Sequence, residues 1–249
     1  MGAQSDKNMT LAGHLRELRN RLVVCIICLI ISFLVGLHFA PQIVDKLTGL
    51  GEVYGYVYVF ISPQELLMQY FSVALLAGVI ITLPVILFNI WAFVQPGLRK
   101  NENLLFLSAM IFGLICFALG VLFAYKVMFP FMLHFLIELS EGSKITSSIS
   151  VQNYMDFLLS IFLVFGLVFE LPVVSVLLTQ MGLLKPAWMK KGRRVIIVVI
   201  FLVAAFITPP DIVSQIMVAI PMVGLYELSI ILCTFSLKLK RNRKQEEEE

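Results

Sequence analysis

The stretch LLFLSAMIFGLICFALGVLFAY, residues 104–125, decides the fold. It holds no charged side chain, and as a helix rising ~1.5 Å per residue it runs for roughly 33 Å. That length matches the ~30 Å hydrocarbon core of a bilayer. Two more charge-free runs precede it, Leu22 to Ala40 and Leu66 to Val94. Three apolar runs follow, Phe157 to Leu184, Val195 to Ile207 and Ile212 to Leu237. Of 249 residues 59% are hydrophobic and 14% charged, with a mean hydropathy of +0.94. A soluble domain carries roughly 25% charged residues, so lipid is the solvent that fits this chain. The reading is an all-α integral membrane protein with six transmembrane helices.

Orientation follows from the basic residues. Sixteen of the 19 Lys and Arg fall in the N-terminal segment, in alternate loops (Arg99, Lys100; Lys185 to Arg194) and in the tail from Lys238. Only Lys46, Lys126 and Lys144 fall in the other loops. By the positive-inside rule both termini are cytoplasmic. The net charge of +3 then reflects topology, and no nucleic-acid partner is implied.

The organisation is one membrane domain: a cytoplasmic amphipathic segment over residues 1–21, a helix bundle over 22–237 and a charged tail over 238–249, read as disordered. Leu11, Leu15, Leu18 and Leu22 recur at helical spacing between arginines, which predicts a short helix lying at the interface. The first span is too long for a cleavable signal peptide and reads as a retained anchor. Val57 to Ile61 reads as extended chain. Ser62-Pro63-Gln64-Glu65 predicts the start of the second span, with serine as N-cap. A short surface helix is expected after Pro130. Pro84, Pro172 and Pro221 lie inside spans, where each removes a donor and bends its helix, so the bundle is expected to be bent and concave. Val195 to Ile207 gives a helix only ~20 Å long. It leads into the turn Thr208-Pro209-Pro210-Asp211, and either two short spans or a re-entrant hairpin satisfies the charge count.

No nucleotide, metalloprotease or serine-hydrolase motif is present, and His14, His38 and His134 are scattered, so neither an enzyme nor a metal or cofactor site is expected. Cys25, Cys28, Cys116 and Cys233 all lie in apolar runs and read as inert thiols. Glu170 is different. It sits near the middle of the fourth span, where an ionised carboxylate costs at least ~2.5–3.5 kcal/mol. One reading is a protonated side chain bonded to a carbonyl freed by a proline; the other is a binding or transport site. Glu17 and Glu102 lie beside basic residues on the cytoplasmic side. Locally, Glu17 can pair with Arg21 and Glu102 can offset a helix dipole.

Five ordered strings raise a more specific reading. They are His14-Leu15-Arg16-Glu17-Leu18-Arg19-Asn20-Arg21; Ser62-Pro63; Trp91-Ala92-Phe93 with Pro96, Leu98 and Glu102; Phe165 to Val173 around Glu170; and Thr208-Pro209-Pro210-Asp211 followed by Ser214-Gln215 and Ala219-Ile220-Pro221. In these the chain resembles TatC, the polytopic core subunit of the twin-arginine protein translocase, across essentially its whole length. It departs from the family pattern at Asn103-Leu104, where members often continue with basic residues, and in its charged tail. The resemblance implies a receptor for paired-arginine signal peptides of folded precursors. Glu17, Arg19, Phe93, Pro96, Leu98 and Glu102 would form the signal site and Glu170 an intramembrane polar site. Ala205, Thr208, Asp211, Ser214 and Gln215 would dock TatA-type and TatB-type single-span partners. It also implies homo-oligomerisation within the complex, surrounding membrane lipid, residence in the bacterial cytoplasmic membrane and export driven by the proton-motive force.

The main rival is a secondary transporter or channel with Glu170 as its ion site. The two halves show no inverted hydropathy repeat, and the paired broken helices of such folds are missing. An intramembrane protease using Glu170 or Asp211 lacks a second catalytic carboxylate. Topology is directly testable: in a background without native cysteines, cysteine at Gly142 or Gly49 labels from outside intact cells and cysteine at Lys100 does not. The reverse pattern contradicts the charge-based orientation.

Overall fold

The computed structural model describes residues 11–53, 57–59, 61–94, 103–140, 148–208 and 211–246. Helix α1 (Leu11–Glu52) is followed by β1 (Val57–Val59), α2 (Glu65–Val94) and α3 (Asn103–Phe123). A π-helical turn, Ala124–Met128, leads into α4 (Phe129–Ser140). Then come β2 (Ser148–Ser150), α5 (Val151–Phe169), α6 (Leu171–Gln180), α7 (Pro186–Ile207) and α8 (Ile212–Glu246). Among the described residues, five helical stretches are long and apolar enough to cross a bilayer: Leu15–Glu52, Glu65–Ile90, Ser108–Phe135, Val151–Gln180 and Ile212–Leu239.

The fifth apolar run lies in α7, whose first turns carry Lys190, Lys191, Arg193 and Arg194. It runs antiparallel along α8. Gln215 Nε2 donates to the Phe201 carbonyl at 2.9 Å, Tyr226 Oη to the Met189 carbonyl at 2.8 Å, and Arg193 Nη2 bonds Glu227 Oε2 at 2.7 Å. Phe201 meets α8 near its start and Arg193 and Met189 meet it three turns further on, so the two helices form a hairpin.

Packing between spans relies on glycine where backbones approach. A Cβ on Gly36 of α1 would lie 2.8 Å from the Ala74 carbonyl oxygen of α2, and one on Gly78 of α2 would lie 3.1 Å from Phe33 N. Lipid supplies no hydrophobic drive between helices, so close backbone contact is a main source of association. Between α3 and α5, Gly120 meets the Phe165 carbonyl and Gly166 meets the Phe117 ring. Phe123 stacks beside Phe165 and Phe169 at centroid distances of 5.4 and 5.5 Å.

The external side, by the charge count, is closed by a small cap. β1 pairs in parallel with β2, Tyr58 opposite Ile149. Tyr154 of α5 is buried there, donates to the Leu47 carbonyl of α1 at 2.8 Å, and packs edge-on to Tyr58 and Phe129.

Several expectations change. The interfacial helix is not separate, since residues 11–21 are the first turns of α1 and Leu15, Leu18 and Leu22 remain exposed. No helix breaker stands between that segment and the span, and Pro41 lies inside α1. The tail expected to be disordered continues as α8 to Glu246, because its Lys, Arg, Leu and Gln residues are good helix formers. Ser62 does not cap with its side chain: its carbonyl accepts from Glu65 N at 3.1 Å, while its Oγ has no partner among the described residues. Of the three span prolines, only Pro172 coincides with a break; Pro84 and Pro221 lie inside continuous helices.

The glycine contact gives a stability prediction. Gly36→Leu should lower the unfolding midpoint of the detergent-solubilised protein, by about 1–3 kcal/mol of overpacking. Gly49→Ala, where nothing lies within 4 Å, should leave it unchanged. Equal midpoints for the two variants would show that α1 and α2 do not depend on this contact.

Candidate functional site

Glu170 lies at the break in the fourth span, ending α5 and preceding α6. Pro172 has no N–H, so the carbonyl of Val168, four residues back, loses its helical donor. The backbone N–H of Glu170 answers this by donating to both Leu167 O and Val168 O, and α6 restarts with Val174 N on the Glu170 carbonyl at 3.0 Å. The side chain therefore leaves the helix axis at a point fixed by the backbone. It is 8% exposed, and its Oε1 has no hydrogen-bond partner among the described residues. The carbonyl freed by Pro172 is met by this backbone N–H, so the ladder is repaired there without the side chain.

The carboxylate borders a cavity of about 230 Å³ between α2, α3 and α6. Its walls are apolar, with Leu87 and Ile90 from α2, Met110 from α3 and Val174 and Leu178 from α6. Gly113 makes the room: a Cβ there would lie 3.0 Å from Glu170 Oε2. A buried acceptor without a partner costs about 1–3 kcal/mol, so a donor entering this cavity gains a prepared bond.

Far from this point, Glu17 sits on the second turn of α1. Arg21 Nε donates to its Oε1 at 3.0 Å and Nη2 to the same oxygen, while Oε2 is buried and has no partner among the described residues. Arg19, next to it, is exposed and reaches Asn20 Oδ1 at 3.4 Å. Phe93 falls in the last turn of α2. Pro96, Leu98 and Glu102 lie outside the described residues.

The docking set divides. Ala205 is exposed on α7. Thr208 is buried and donates to the Ala204 carbonyl at 2.9 Å. Asp211 caps α8, accepting from Ser214 N at 2.6 Å. Ser214 is fully buried, with no partner for its Oγ among the described residues. Gln215 is satisfied inside the hairpin through Phe201. The exposed surface here is apolar instead: Phe206 is 90% exposed, and Val198, Leu202 and Ile212 stand out beside it.

Sequence reasoning missed two features. One is the Arg193–Glu227 pair, signalled only by a lone glutamate in the last apolar run. The other is an external polar seam where Gln69 Nε2 donates to Asp156 Oδ1 at 3.3 Å and Ser150 Oγ to Glu65 Oε2 at 3.3 Å. Its members are 85 and 87 residues apart, beyond any local pattern.

These features define a polytopic helical membrane protein with a carboxylate buried at the break of one span. A family model described as Sec-independent protein translocase protein (TatC) matches residues 13–221. The chain belongs to the TatC family. It is 36% identical to the Sec-independent protein translocase protein TatC of Listeria innocua, covering 94% of this chain and 95% of that one. With the Helicobacter pylori J99 protein of the same name it shares 40%, over 89% and 88%. A crystal structure of a twin arginine translocase receptor, TatC, superposes with a TM-score of 0.83 at 34% identity, covering 90% of this chain and 99% of that one. The protein is thus a component of the Sec-independent translocase, not an enzyme, and is a multi-pass protein of the bacterial cytoplasmic membrane.

Proposed function

We propose that this chain is the receptor subunit that reads paired-arginine signal peptides at the cytoplasmic face and then assembles with TatA-type and TatB-type single-span proteins. The observation that carries the reading is Glu17, whose Oε1 is taken by Arg21 while its buried Oε2 has no partner among the described residues. A guanidinium supplies the missing donor through a charge-assisted bond. Glu102 provides the second carboxylate on the same side, with Arg19, Phe93, Pro96 and Leu98 around the signal's n-region. The signal's hydrophobic stretch then enters between α2, α3 and α6 toward Glu170, where the cavity accepts apolar side chains and one donor. Export of the bound precursor draws on the proton-motive force.

Partner docking falls to the α7–α8 hairpin. Because Gln215 and Thr208 are bonded within it, the contact is made by the exposed apolar face around Ala205 and Phe206, and Asp211, Ser214 and Gln215 hold that face in shape. The transporter reading has no comparable support, since Glu170 has no second ionisable group among the residues lining its cavity.

Charge reversal tests the reading. Glu102→Lys, and more weakly Glu17→Lys, should abolish crosslinking to a twin-arginine precursor with the protein still inserted, because like-charge juxtaposition costs several kcal/mol. In the same membranes a photocrosslinker at Ala205 should still capture single-span partners, and one at Phe33 should not. Normal precursor crosslinking in Glu102→Lys would sink the recognition role, and partner adducts confined to Phe33 would move the docking face.

A further inference from the structure

A second groove adjoins the Glu170 cavity, sharing Ala109, Val173 and Leu177 with it as a common wall. It has a volume of about 430 Å³ and opens between α3, α6 and α8. Phe112 of α3, Val176 and Leu177 of α6 and Leu232 and Phe235 of α8 form its walls. Pro172 and Val173 line its inner end. At the other end stand Ser108, Gln180 and Ser236, with Gln180 Nε2 donating to the Ser236 hydroxyl. The groove is therefore apolar along its length and polar at one rim, and that rim faces the side from which α8 leaves the membrane.

The length is informative. From Gln180 to Pro172 along the helix is about 12 Å, close to the ~15 Å hydrocarbon depth of one leaflet. The charge beyond the rim is informative too. α8 does not stop at the polar residues but continues to Glu246. Its next two turns carry Lys238, Lys240, Arg241, Arg243 and Lys244, five cations in seven residues. Glu246, where the acidic run begins, is about 12 Å further along the helix than Lys238, beyond the ~10 Å Debye length at 0.1 M salt. Along the helix the cations thus come nearest the rim, with the acidic run beyond them.

We propose that this groove is a specific site for an anionic phospholipid of the leaflet on the C-terminal side. One acyl chain lies along Val176, Leu232 and Phe235, the glycerol ester region meets Gln180 and Ser236, and the headgroup phosphate sits among the cations of the α8 extension. A cluster of basic residues directly following a membrane helix is the common means of holding such headgroups. A signal peptide is the poorer occupant, since its own paired arginines would face the same five cations. The proposal is independent of how signals are read at Glu17.

The test uses the full chain in nanodiscs containing phosphatidylglycerol or phosphatidylcholine with a photoreactive group midway along one acyl chain. At equal mole fraction, phosphatidylglycerol should give several-fold more adduct, on peptides containing Phe112, Val176 and Leu232 to Phe235, with the excess falling as salt rises. Leu232→Trp should remove those adducts. The combined variant Lys238→Gln, Lys240→Gln and Arg241→Gln, in the last turns of α8, should reduce phosphatidylglycerol to the phosphatidylcholine level. Equal labelling by the two lipids in the native chain, or adducts spread evenly over the lipid-facing surface, would overturn the site. So would a twin-arginine precursor that displaces the lipid and itself crosslinks at Val176.

Discussion

The missing N–H of Pro172 is the constraint on which the rest depends. Inside a bilayer no water completes a broken hydrogen-bond ladder, so every freed backbone group must be met by the protein. Here the ladder is repaired within two residues, by the Glu170 N–H reaching both Leu167 and Val168 carbonyls. The repair divides the fourth span into α5 and α6 and puts the only residue between them at the hinge. That residue is a glutamate. Its carboxylate then points into a cavity that exists because Gly113 brings no Cβ to fill it. Backbone chemistry, a glycine on a neighbouring helix and a buried acceptor are one arrangement.

The hairpin of α7 and α8 follows the same rule in another way. The apolar part of α7 is too short for an ordinary span, and the hairpin's polar side chains are bonded inward: Thr208 to Ala204, Gln215 to Phe201, Asp211 to the start of α8. What is left outside is hydrocarbon, led by Phe206. Such a surface suits lipid or another helix, and the short hydrophobic length favours a local thinning of the bilayer. The ion pair Arg193–Glu227 marks where α7 emerges on its basic side.

Much of this was legible in the chain itself, because in lipid the apolar runs, the basic loops and the span prolines are read by simple physics. The strings around Glu17, Glu170 and Thr208 placed the chain in its family before any coordinates. The external pairing of β1 with β2 was not legible on both sides: Val57 to Val59 reads as extended, but Ser148-Ile149-Ser150 looks like polar loop. Gly113 carries no local sign that it faces Glu170, since that contact joins two spans. Ser62 misled in the opposite sense, its cap pattern being correct for the helix start and wrong for the atom that makes the bond. Gln215 is expected from the sequence as a docking residue, and only its position opposite Phe201 shows that its amide bonds inside the hairpin.

The account rests most heavily on recognition of paired arginines by this chain. The direct measurement is binding of a purified twin-arginine precursor to the purified protein in nanodiscs, beside the same precursor with both arginines replaced by lysine. The account predicts tight, salt-sensitive binding for the arginine form and a loss of tenfold or more, about 1.4 kcal/mol or beyond, for the lysine form, whose ammonium groups cannot make bidentate pairs with carboxylates. Equal affinity for the two precursors would contradict it.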